Sequence, residues 1–167
     1  MIRIRRLAPL LALASLAACS SEHKPPLFCP KVAVLSEASH LIRPASAAND
    51  VAARTLDARI TGVAGSCRTK GRRRAELSFR IGFAATQGPA STSPRADLTY
   101  FIALIQGDTI IDKKLYPVSF DFKGGTEQAV ATTTPIRIVV PNAPRSARQQ
   151  VLVGFQLSRA ELNSVQP

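Results

Sequence analysis

Glu76-Leu77-Ser78-Phe79-Arg80-Ile81-Gly82-Phe83 alternates with a period of two: Leu77, Phe79, Ile81 and Phe83 fall on one side, and Glu76, Ser78 and Arg80 on the other. A β-strand turns successive side chains to opposite faces, so this spelling describes a strand with one face in a core and one in water. The same period recurs on both sides of it. Upstream, Leu56, Ala58 and Ile60 alternate with Asp57, Arg59 and Thr61, and Gly62 and Gly65 announce a bulge or a close backbone approach before Cys67. Downstream, residues 98–105 are a nearly unbroken apolar run, suited to a central strand packed on both faces. Gln106-Gly107-Asp108 reads as a turn, and residues 109–115 return as an amphipathic strand. Val118, Phe120 and Phe122 mark a further strand that Gly124-Gly125 ends.

The remaining segments are shorter. Residues 31–35 are β-prone and form the first strand, whereas residues 36–50, polar and alanine-rich with Pro44 in the middle, read as a loop with one helical turn. Residues 87–94 are a Gly/Pro/Ser/Thr loop. Residues 127–134 and 136–140 form one long strand or two broken at Pro135, and residues 141–146 a turn. Val151, Val153, Phe155 and Leu157 define the last strand, and Ser158-Arg159-Ala160-Glu161 spells a capping box that starts a short C-terminal helix. Seven or eight short strands without a long helical pattern predict a single antiparallel β-sandwich over residues 31–167. An immunoglobulin-like topology is one candidate arrangement, although its Cys-Trp-Cys mark is missing because the chain has no tryptophan.

The N-terminus carries a different message. Arg3, Arg5 and Arg6 precede an apolar stretch at residues 7–16, interrupted only by Pro9 and Ser15, and small residues follow. That is the layout of a signal peptide, and the run is well short of the roughly 20 apolar residues of a membrane span. Leu16-Ala17-Ala18-Cys19 resembles the lipobox of bacterial lipoproteins. The resemblance implies cleavage between Ala18 and Cys19, a leader of residues 1–18, and lipidation of Cys19. Each buried methylene of such a lipid is worth about 0.8 kcal/mol, so several acyl chains hold a protein to its membrane. Ser20 as the second mature residue implies the outer membrane rather than the inner one, with the domain facing the periplasm. The residues after Arg5-Arg6 do not follow the twin-arginine pattern, which leaves Sec export; an ordinary secretory signal cut near Ala18 is the plainer alternative. Residues 19–30, with Pro25, Pro26 and Pro30, read as a proline-stiffened tether.

Removing the leader leaves 149 residues, the size of one domain, with 19 Lys and Arg against 11 acids. This basic balance favours anionic partners such as lipid headgroups or lipopolysaccharide phosphates. Export and the scarcity of aromatic side chains speak against nucleic acid. Of the three cysteines, Cys19 takes the lipid, so Cys29 and Cys67 remain as a disulfide in an oxidising compartment. Neither CxxC spacing nor a neighbouring histidine makes them a metal pair. Arg68, Lys70, Arg72, Arg73 and Arg74, with Gly71, form the most basic stretch of the mature chain, in a hairpin connection between two strands. They are the candidate patch for an anionic ligand, set against the plainer reading of solvated charges that discourage edge aggregation.

Two stretches, Phe28-Cys29-Pro30-Lys31-Val32-Ala33-Val34-Leu35 and Val151-Leu152-Val153-Gly154-Phe155-Gln156-Leu157, resemble small uncharacterised envelope lipoproteins of alphaproteobacteria. Ile60-Thr61-Gly62, Ser66-Cys67-Arg68 and Tyr100-Phe101-Ile102-Ala103 are similar as well. The resemblance implies a location and a domain type, and no activity.

Catalytic signatures are sparse in this sequence. Gly65-Ser66-Cys67 lacks the second glycine of a nucleophile elbow. His23 falls in the tether, His40 is the domain's one histidine, and the only close acids, Asp108 and Asp112, flank a turn. There is no phosphate-cradling glycine loop and no metal-spaced cluster, so no cofactor is expected. The expectation is a non-enzymatic envelope lipoprotein, a structural or assembly component that meets other envelope proteins. The alternatives are a module that binds anionic lipids or polymers through residues 68–74, and a hydrolase using Ser66.

Overall fold

The computed structural model describes residues 29–45, 50–70, 74–141 and 148–165. The leader, Cys19, the tether up to residue 28, and the hairpin residues Arg72 and Arg73 lie outside the described residues. Within them the chain forms β1 (Lys31–Val34), β2 (His40–Pro44), β3 (Arg54–Thr69), β4 (Arg74–Gln87), β5 (Arg95–Gln106), β6 (Thr109–Asp121), β7 (Gln128–Thr132), β8 (Ile136–Pro141), β9 (Gln149–Phe155) and α1 (Arg159–Val165). A four-stranded sheet runs β1-β9-β5-β6. A five-stranded sheet runs β2-β3-β4-β7, with β8 sharing the edge of β4. The fold is an all-β sandwich.

The alternation in β4 dictates the packing. Leu77, Phe79, Ile81, Phe83 and Ala85 are all buried in one core with Leu98, Tyr100 and Ile102 of β5, Val118 and Phe120 of β6, and Val151, Val153 and Phe155 of β9. Phe83 is the aromatic joint between the layers, its ring 5.1 Å from Tyr100 and 5.9 Å from Phe155. Strand β5 is packed on its other face too. Phe101 and Ala103 lie under Ala38 in a second cluster, and a side chain at Gly154 would come within 2.7 Å of the Phe101 ring. The bulge falls at Gly62, where the β3–β4 register shifts, and the close approach at Gly65, where a Cβ would meet the Ser78 carbonyl at 2.4 Å. Pro135 separates β7 from β8 along β4; in the gap, the Ile81 amide donates to Thr133 Oγ1 and the Thr133 amide to the Ile81 carbonyl. Ser158 and Glu161 close the capping box reciprocally, at 2.8 and 3.2 Å.

Several expectations need correction. Residues 40–44 are a strand: Pro44 ends edge strand β2, at a register shift, where a missing amide breaks no ladder. The two strands expected over 109–122 are one, because Pro117 sits in an edge strand opposite Thr99. Its first half is exposed on both faces rather than amphipathic. The sandwich has nine strands among the described residues and is not wholly antiparallel, since β1 pairs in parallel with β9. Nor is it immunoglobulin-like in topology. There the last two strands share a sheet, whereas β8 and β9 here lie in different ones.

Candidate anion-binding face beside the disulfide

Cys29 and Cys67 form a disulfide with their Cα atoms 6.1 Å apart. Cys29 comes just before β1, as expected. Cys67, expected after a strand, is inside β3, opposite Leu77 of β4. The bridge thus fastens the start of the domain to its longest hairpin. Beside it a cleft of about 250 Å³ opens between Pro30 and Val32 on one side and Val63, Ser66 and Phe79 on the other.

One residue beyond Cys67 the chain turns its next side chain to the outer face. Antiparallel pairing sets Arg68 opposite Glu76, and the connection brings Lys70 to the same carboxylate. Arg68 donates to Glu76 Oε1 from both Nε, at 2.8 Å, and Nη2, while Lys70 Nζ donates to Oε2 at 3.1 Å. Glu76 is 5 % exposed although it stands on the outer face, because the two cations cover it. The hydrogen bonds from Arg68 and then Lys70 hold its carboxyl below the ordinary value, against burial, which acts the other way. Two of the five candidate cations are therefore engaged by an acid that the strand alternation had marked merely as outward-facing.

The rest of the face stays basic. Arg74, Glu76, Ser78 and Arg80 share one side of β4, and β8 pairs so that Arg137 stands opposite Ser78. Arg74, Arg80 and Arg137 are exposed, and none has a carboxylate partner among the described residues. Sequence reasoning missed Arg80 and Arg137 as members. Arg80 was legible from the alternation, but Arg137 enters only through the β4–β8 register. Five cations with one carboxylate, plus Ser66 and Ser78 as hydroxyl donors opposite each other, can hold a phosphate or carboxylate by charge-assisted hydrogen bonds.

The residues weighed for catalysis are dispersed. Ser66 borders the cleft, while His40 Nε2 lies 2.8 Å from Asp57 Oδ1 where β2 meets β3. His40 pairs with Arg59, seven residues up β3 from Ser66, roughly 20 Å along a strand. The His40–Asp57 pair was missed because residues 36–50 were read as a loop. Asp112 pairs with Lys114 at 3.7 Å. Among the described residues no group of three or more His, Cys, Asp or Glu side chains is placed to hold a metal ion, and no helix is long and apolar enough to cross a membrane.

The fold and face thus define a two-sheet β-domain with a basic surface next to its N-terminal disulfide. No protein-family model, curated protein or solved structure matches the chain.

Proposed function

We propose that this chain is a non-enzymatic envelope lipoprotein, anchored through Cys19, whose β-domain serves as a structural or assembly component at the membrane surface. The observation that carries the reading is the place of the Cys29–Cys67 bridge. Ten residue steps separate Cys19 from Cys29, a reach of about 35 Å at most. A pull on the lipid is delivered through the bridge into β3, the longest strand, which is paired on both sides, rather than to a terminal strand that could peel away. The test is mass spectrometry of the N-terminal peptide of the protein from a membrane fraction. An acylated peptide beginning at Cys19 is expected, and Cys19→Ser should release the protein from the membrane. An unacylated N-terminus overturns the reading. Crosslinking in the intact envelope should also capture a protein partner.

A second reading is favoured by the adjacency of Cys67 and Arg68: the domain also binds anionic lipids or lipopolysaccharide through the face built around residues 68–74. Cys29, ten residue steps from the lipidated Cys19, is bridged to the end of β3 that carries Arg68, so the basic face stays within reach of the surface to which the lipid is attached. Each Lys or Arg close to an anionic membrane contributes about 1 kcal/mol, screened within a Debye length. In the domain without its lipid, replacing Arg72, Arg73 and Arg74 with serine should weaken binding to anionic vesicles at low salt. Unchanged binding removes this reading and leaves the anchored domain standing.

A further inference from the structure

Strand β6 is the edge of its sheet: β5 is its one ladder partner among the described residues, β7 approaches it without pairing, and its first half, residues 109–115, is exposed. A long edge with unpaired backbone groups is a template for another strand, and proteins usually blunt it with charge or cover it. Here the edge carries Ile110, Ile111 and Leu115, exposed to 61 %, 48 % and 56 %. The bulge after Leu104 sets Ile110 opposite Ile105, so Ile110, Ile111, Lys113 and Leu115 share the outer side, with Phe101 and Ala103 beside them on β5.

We propose that β6 is a self-association edge, at which two copies of this chain pair their β6 strands antiparallel about a two-fold axis through Lys113. The charges select this register. With the two Lys113 residues opposite each other, Ile111 meets Leu115 twice on the outer side, and Asp112 meets Lys114 twice on the other. Shifting the pairing by one residue either way opposes Ile111 to Lys114, or lysine to lysine. An in-register parallel arrangement opposes every like charge to itself. Within one chain Asp112 and Lys114 already lie 3.7 Å apart and more than half exposed, free to exchange partners across the axis.

The one like-charge meeting in this register is Lys113 with its counterpart. Its ammonium is drawn away from the edge, 2.9 Å from Gln156 Oε1 and 4.6 Å from the centre of the Phe101 ring. The cation crosses β5 instead of standing at the seam. Directly opposed residues in an antiparallel pair put their Cβ atoms about 5 Å apart, and because residue i faces residue j on the same side, the two outer faces become one continuous surface.

The test uses the full mature protein in detergent. Sedimentation should show a monomer–dimer equilibrium, and Lys113→Cys should crosslink under mild oxidation, with the link mapped to position 113 in both chains. Asp112→Lys and Lys114→Asp each place like charges across the axis twice, and each should weaken the dimer roughly tenfold. An equimolar mixture of these two variants restores opposite charges at all four positions and should recover dimerisation. All three substitutions are at exposed sites, and an unchanged melting temperature checks that the fold is intact. A protein that stays monomeric at millimolar concentration overturns the proposal. So does a dimer indifferent to both charge swaps, or a mixture of intact variants that fails to recover.

Discussion

The ring of Phe83 in the five-stranded sheet lies 5.1 Å from that of Tyr100 in the four-stranded sheet, tilted by 51°. Tyr100 in turn stacks on Tyr116 of β6 at 5.4 Å. One side chain from β4 thus makes ring contacts with two strands of the other layer, in a chain with few aromatics to share that role. Phe83 is 1 % exposed, and its loss opens a cavity that the two sheets cannot close without sliding. Phe83→Ala should destabilise the domain by about 3–5 kcal/mol, measured as a lower urea midpoint at unchanged slope.

The disulfide should behave as one shared bond. Its 38-residue separation corresponds to roughly 3–4 kcal/mol in the chain-entropy model. Cys29→Ser and Cys67→Ser should each lower the melting temperature markedly, and the double variant should melt with the singles rather than below them. Two free thiols in the oxidised protein would contradict the pairing.

Acid should act through Glu76. Its folded carboxyl titrates below the ordinary 4.5 because Arg68 and Lys70 hydrogen-bond its charged form. A depressed pKa contributes stability that is complete above the unfolded value and disappears as pH falls through the folded one. Glu76→Gln should therefore be less stable than the wild type at neutral pH, and the gap should close below pH 4.5. Asp97, held down by Ser119 and then Arg95, shares this window, so some acid sensitivity should persist in the variant. Urea midpoints across a pH series read the difference directly.

The capping box should govern α1. The Glu161 amide donates to Ser158 Oγ, the Ser158 amide to Glu161 Oε2, and Arg43 Nε binds Glu161 Oε1 at 3.1 Å, tying the helix to β2. Ser158→Ala should cost about 1 kcal/mol. Amide exchange at Glu161 and Leu162 should speed up, with little change in β4.

Elements whose burial follows from their own spelling were legible: β4 and β9 by their alternation, α1 by its capping box, the β5–β6 turn by Gly107, and the Cys29–Cys67 pair by counting thiols. Strand β2 was hidden because Pro44 marks a loop in isolation, while at the end of an edge strand it is harmless. Pro117 hid the continuity of β6 in the same way. Of the basic face, residues 68–74 were visible as a run of charge, and Arg137 was not, since it lies more than sixty residues away in the chain and arrives only by pairing.

By itself, then, the sequence determined which segments must bury one face, because side-chain alternation is a local property that water reads directly. It also determined the likeness of residues 16–19 to a lipobox and the excess of positive charge. Only the tertiary structure decided which strands are neighbours: the parallel seat of β1 against β9, the division of β4 between β7 and β8, and the open edge of β6. Only it turned Glu76 from an outward-facing acid into a buried counter-ion for Arg68 and Lys70. The physical reason is that pairing and burial are set by the whole sandwich at once, since a backbone edge accepts any strand and a carboxylate is buried only where cations from another strand arrive to cover it.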